Sequence, residues 1–225
     1  MPSVKIPRKS TWTDMTPFVD VAFLILAFFI MATKFKPAEP VTITTPQSVS
    51  STKLKEQDAI LITFDSVGRV YLTMNVLKKD DEPLKYEFIK NLSQARNLNL
   101  SEAAMQNFQK NAMIGTPFSQ LNSVLSLPNA ERDRLVQQGI PVDSTNNELQ
   151  YWISSGKTVF QGKKMSFMIK GDNNAKYPSF KGVIDALRAN DVFKYQLITD
   201  PRGVPEGTEL YKLRQSGRSV EETEL

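Results

Sequence analysis

The sequence predicts a single N-terminal transmembrane helix followed by an exported α+β domain, a small mixed sheet with helices and a mostly helical insertion. Three observations carry this. A nearly uncharged run, Met15 to Thr33, stands near the start of a 225-residue chain that is 23 % charged on average. Period-two apolar runs recur at residues 59–73, 165–169 and 195–199, the pattern of half-buried strands. Between the last two, Phe180, Val183, Ile184 and Leu187 repeat at helical spacing. The chain divides accordingly into a basic arm (1–13), the transmembrane helix (14–34), an extended linker (35–58), the α+β domain (59–200) with its insertion at about 76–162, and a polar C-terminal tail (201–225).

The run MTPFVDVAFLILAFFIMAT holds one charge, Asp20. About 20 apolar residues at 1.5 Å each span a hydrocarbon core of about 30 Å. Val21 to Ala32 is apolar on every face, unlike the striped surface helix of a soluble domain. Lys5, Arg8 and Lys9 precede it, but no small-x-small cleavage site follows, so the span is read as retained rather than as a cleaved signal peptide. Lysines and arginines balance on its two sides, so the positive-inside rule does not orient it. A short arm before a long exported portion places the N-terminus in the cytoplasm.

Histidine and cysteine are both absent. No Ser–His–Asp or Cys–His nucleophile can be assembled, and zinc, haem and iron–sulfur sites lose their usual ligands. No EF-hand, P-loop or GxGxxG pattern occurs, so no metal site and no cofactor is expected. The net charge of +4 is spread among interleaved acids and bases, which gives no nucleic-acid footprint. The acidic pair Asp80/Asp81 lies in a Lys-rich turn and reads as a solvated loop, so the chain is not expected to be an enzyme. Any proton-coupled chemistry must rest on carboxylates.

Thr16 suits a helix N-cap and Pro17 the first helical position. Asp20 then lies one turn inside the span. Position alone allows two readings. Asp20 is an interfacial acid favoured by the helix dipole, or a buried carboxyl that faces a protein partner or aqueous path and exchanges protons. Asp14 already supplies an acid ahead of the helix, so dipole compensation did not need a second one deeper in.

The stretch Asp14-Met15-Thr16-Pro17-Phe18-Val19-Asp20 resembles the T-P-F-[IV]-D signature of the ExbD/TolR family of biopolymer-transport proteins, which likewise follows a short basic arm and opens a lone span. The resemblance implies an inner-membrane, single-pass subunit of a motor driven by the proton motive force, with a periplasmic C-terminal domain. It implies a homodimer whose spans sit in a ring of a polytopic ExbB/TolQ-like partner, and a TonB-like energy transducer. Asp20 would be the proton-carrying residue, with Thr16, Pro17 and Phe18 as the motif around it.

In the linker, Val41, Thr42, Ile43 and Thr44 alternate and form a candidate partner-pairing strand. The family's corresponding segment ends in Leu-Pro, where this chain has Thr45-Pro46. Ile60, Ile62 and Phe64, a turn at Asp65 to Gly68, then Val70 and Leu72 predict a hairpin. Met165, Phe167 and Ile169 predict a strand, the 180–187 stripe a helix, and Tyr195 to Thr199 a closing strand. Gly171-Asp172-Asn173-Asn174 reads as a turn, and with Tyr177 it falls where the family domain has similar residues.

The insertion predicts helices from Ser101 to Gly115 and from Pro128 to Gly139, with further apolar stripes at Phe88, Leu92 and Ala95 and at Leu149, Trp152 and Ile153. These stripes are expected to pack as satellite core, although Trp152 beside Tyr151 could also anchor a protein partner. The leading functional expectation is a motor subunit that energises TonB-dependent transport across the outer membrane. The alternatives are a TolR-like envelope-maintenance subunit contacting peptidoglycan and a passive anchored periplasmic binding module.

Overall fold

The computed structural model describes residues 14–32, 41, 43–49, 58–76, 79–132, 134–208, 211, 212 and 215. It divides into two units, Met1–Ala38 and Glu39–Leu225. The first contributes one described element, helix α1 (Thr16–Ala32), 17 residues long and without a buried side chain.

The second unit is built on a mixed five-stranded sheet. Its strands are β2 (Asp58–Phe64), β3 (Val70–Asn75), β4 (Met113–Ile114), β5 (Met165–Gly171) and β6 (Gln196–Ile198), in the order β4-β3-β2-β5-β6. The β2–β3 hairpin is antiparallel, β4 adds antiparallel to β3, and β5 and β6 add in parallel on the other side. The hairpin, the 165–171 strand and the closing strand form as the sequence predicts. Register aligns the apolar residues into rows across the strands. Ile114, Leu72, Ile62 and Ile169 form one row and Met74, Ile60 and Phe167 another, all buried. Of the intervening positions, Leu61, Thr63, Thr73 and Met168 are half-buried and Ala59 and Tyr71 are buried, so one face is dry and the other is covered in part.

Helices α2 (Pro83–Arg96), α3 (Glu102–Lys110), α4 (Phe118–Ser126), α5 (Asn129–Arg132), α6 (Leu149–Val159) and α7 (Tyr177–Arg188) complete the layer. Ser101 caps α3 by accepting the Ala104 N–H, which explains the helix start expected there. α6 approaches the sheet through Gly156, where an added Cβ would lie 2.4 Å from Ile60 Cδ1. Trp152 of α6 packs with its ring centroid 5.7 Å from Phe88, 5.9 Å from Phe118 and 6.2 Å from Phe108. The Trp152 stripe is therefore core, as expected, and Trp152 is wholly buried and closed to partners.

Several expectations within the insertion change. The helix from Ser101 stops at Lys110, not Gly115, because residues 113–114 join the sheet edge and the Met74 N–H is taken by Ala112 O. The helix expected over Pro128 to Gly139 is cut to the four residues of α5, with α4 forming upstream unannounced. Residues 137–140 must instead run along the sheet. The Ile140 N–H reaches Val70 O at 2.8 Å and Gly139 adopts a φ of 95°, which a side chain would resist. In α2, Ala95 is exposed and Ile89 joins Phe88 and Leu92 in the core.

The aromatic cluster generates a stability test. Phe108→Ala removes a fully buried ring stacked on Phe88 and should lower unfolding free energy by about 3–5 kcal/mol, read as a drop in the urea midpoint. A change below about 1 kcal/mol would mean that this cluster is not packed as described.

Candidate functional site

α1 begins one residue earlier than the Thr16 cap expected from sequence. The Asp14 carboxylate accepts the Thr16 N–H at 3.0 Å, and Val19 N–H bonds Met15 O at 3.0 Å. Asp14 therefore does the capping, while Thr16 and Pro17 are the first helical residues. Asp20 lies about 6 Å further along the axis at 1.5 Å per residue. It is the only charge between Met15 and Ala32. Its own face carries Thr16 and Pro17 one turn before it and Leu24 and Ala27 after it. Phe18 is 70 % exposed, and all other described side chains of α1 are exposed save a half-exposed Ala27. Among the described residues, no helix is long and apolar enough to cross a membrane. The end of the 14–34 span lies outside the described residues.

Of the candidate pairing strand, Val41 is in a bend, Thr42 lies outside the described residues, and Ile43 and Thr44 belong to no strand. The strand forms further on, as β1 (Gln47–Ser48), and pairs in parallel with β7 (Asp200–Pro201) of its own chain. Thr44 is held as well: its N–H donates to Asp172 Oδ2 at 3.0 Å and its carbonyl accepts the Asn173 N–H at 2.8 Å. Pro46 O and Ser48 O accept the N–H groups of Asp200 and Arg202, and Thr45, between Thr44 and Pro46, is buried. Asp172 also bonds the Asn174 N–H, so the Gly171-Asp172-Asn173-Asn174 segment is the expected turn and at the same time an anchor for the linker. β7 likewise takes up the start of the polar tail.

A cleft of about 560 Å³ opens between the β2–β3 turn, residues 138–144 and α7. Among its lining residues, Gly68 stands against Ser179 and Gly182 against Val142, each too close to leave room for a Cβ. Arg69 and Lys181 line it together with Asp143 and Asp185, so it presents both signs of charge. The turn is rigidly made. Buried Asp65 accepts the N–H groups of Val67, Gly68 and Arg69 at 2.8–3.0 Å and Arg69 Nε at 2.7 Å. That hydrogen bond raises the Arg69 guanidinium above its ordinary value. Asp80 and Asp81 lie in a 3-10 turn (Lys79–Asp81) where Asp81 is paired with Lys163, as a solvated structural contact would be. Among the described residues, no cluster of acidic side chains could hold a metal ion.

A protein-family model, biopolymer transport protein ExbD/TolR, matches residues 8–202. The chain belongs to the ExbD/TolR family. The match runs from the basic arm to Arg202, whose N–H bonds Ser48 O, and it includes the helical insertion. No curated protein and no solved structure matches the chain. Members of this family are transport-associated inner-membrane proteins with a periplasmic domain that generally work with ExbB/TolQ-type and TonB/TolA-type partners. The mixed α+β unit fits that periplasmic domain.

Sequence reasoning missed Asp14 as the cap, Asp172 as the linker anchor, and the cleft. Asp172 and the cleft join residues far apart in the chain, and nothing in local spacing signals them.

Beside the cleft, Tyr71 fills the space left by Gly115 and its hydroxyl points to Gln137 O. Burial pushes the Tyr71 phenol up from its ordinary value. A raised phenol stabilises the fold fully below the unfolded value of about 10 and loses that contribution as pH climbs through the folded value. Urea titrations at pH 9 to 12 should therefore show a loss of stability that Tyr71→Phe makes smaller. An equal loss in both proteins would remove Tyr71 as its source.

Proposed function

We propose that this chain is an ExbD-type subunit of an ion-driven motor, in which Asp20 takes up and releases protons that enter from the periplasmic side. Residues 14–34 form its single span, with the N-terminus in the cytoplasm. The observation that carries the reading is the placement of Asp20. The helix start is already capped by Asp14, so Asp20 has no capping task. It stands on a helix whose other residues from Phe18 to Ala32 are all apolar. An uncompensated acid inside such a helix is costly, and a functional partner is the usual reason for it.

In this reading two copies lie inside a ring of polytopic ExbB/TolQ-like subunits. Proton transfer neutralises Asp20, changes its attraction to the ring, and moves the span pair. The periplasmic domain passes the motion to a TonB-like transducer and so to transport across the outer membrane. The absence of histidine leaves carboxylates to handle protons, and the family's character as an energising transport subunit agrees with that role.

Asp20→Asn keeps the size of the side chain and removes its titration. Cells carrying it should lose energy-dependent uptake across the outer membrane by more than about 100-fold, the scale of removing an essential proton-transfer group. Co-purification with the ring partner should be unchanged. Retained uptake with normal assembly would refute the motor and leave a passive anchored module. Intact uptake together with a leaky envelope would point to the TolR-like role.

A further inference from the structure

We infer that the contact between residues 44–48 and the Asp172 turn with β7 is a clasp that takes the slack out of the tether, with Asp172 as its positioning residue. The inference rests on the motor reading above. It follows from where the chain is held. Between Ala32, the last described residue of α1, and Ile43 lie residues 33–42, a connection of at most about 36 Å even when fully extended. Without the clasp, the next described residue held in the sheet would be Asp58 in β2, and residues 33–57 could reach about 90 Å.

A ten-residue connection draws taut after a far smaller displacement than one of twenty-five residues. The clasp therefore decides where force enters the domain. It enters at the loop after β5 and the segment after β6, which lie on the parallel half of the sheet, and not at the start of β2.

The contact has the form of a fastening. Its bonds engage the backbone of alternate residues, Thr44 N–H and carbonyl, Pro46 O and Ser48 O. Thr45 is buried while Pro46 and Gln47 face solvent. A two-residue strand adds little to the core, yet residues 44–48 are held by these four hydrogen bonds, one of them to a carboxylate.

The chain has no cysteine, which permits a clean covalent substitute. Gln47 and Asp200 are register partners and both exposed, at the strand spacing of about 5 Å that a disulfide can bridge. In the full-length protein in its membrane, Gln47→Cys with Asp200→Cys should form a disulfide within one chain. Asp172→Ala removes a charge-assisted hydrogen bond and should lower the closed-to-open ratio of the clasp about tenfold. Energy-dependent uptake should fall with it, while Asp20 chemistry and ring assembly stay intact. Adding the cysteine pair to Asp172→Ala should restore uptake when oxidised and lose it again on reduction, which a merely misfolded loop would not do.

Full uptake in Asp172→Ala, or loss of uptake in the oxidised pair, would overturn the inference. The second outcome would mean that the segment must open. Failure of the disulfide to form would refute the contact itself. If Asp20→Asn has no effect, the motor reading falls whatever the clasp does.

Discussion

The domain depends on the parallel pairing of β2 with β5. Seven residues of β2 stand in unbroken register with seven of β5, from Asp58 opposite Met165 to Phe64 opposite Gly171. β2 is the central strand, and Ile60 and Ile62 on it are wholly buried. Two consecutive antiparallel strands can close with a tight turn, but a parallel partner requires a long crossover. Here the whole insertion is that crossover. Its helices therefore cannot be an appendage. They must cover the dry face of the strands they connect, and α6 does so at van der Waals distance through Gly156.

This constraint explains which parts of the fold were legible. The hairpin at 58–75, β5 and α7 announce themselves because each buries one face along its whole length, and the apolar period follows directly. β4 does not. Two residues cannot show a period, and Met113–Ile114 becomes a strand only because β3 has a free edge there. The same edge explains the lost helix before Gly139. Gln137 turns its side chain inward to accept the Gly115 N–H, and Ile140 bonds Val70. Local propensity favoured a helix, and tertiary hydrogen bonds outweighed it. Ala95 failed for a smaller reason, since a three-residue stripe fixes a helix face only to within about one residue.

The candidate site divides in the same way. Asp20 was legible because a charge in an apolar run stands out in any sequence. Its neighbour Asp14 was legible only as a charge, and the capping bonds to Thr16 are what separate the two acids by task. The fastening of residues 44–48 was not legible. Its anchoring groups sit at Asp172 and Asp200, far along the chain, and Asp172 looks like any turn residue until Thr44 is placed on it.

Magnitudes indicate why a carboxylate stands at that point. One elementary charge crossing 100 mV supplies about 2.3 kcal/mol. A neutral backbone hydrogen bond contributes about 0.5–1.5 kcal/mol net, and one to a charged acceptor about 1.5–3 kcal/mol. Two strand bonds, from Asp200 and Arg202, thus contribute about 1–3 kcal/mol, the same scale as a single charge step. The pair of bonds at Thr44, one of them to the Asp172 carboxylate, lifts the contact above that scale. The strands set the register of the contact, and the carboxylate supplies its strongest single bond.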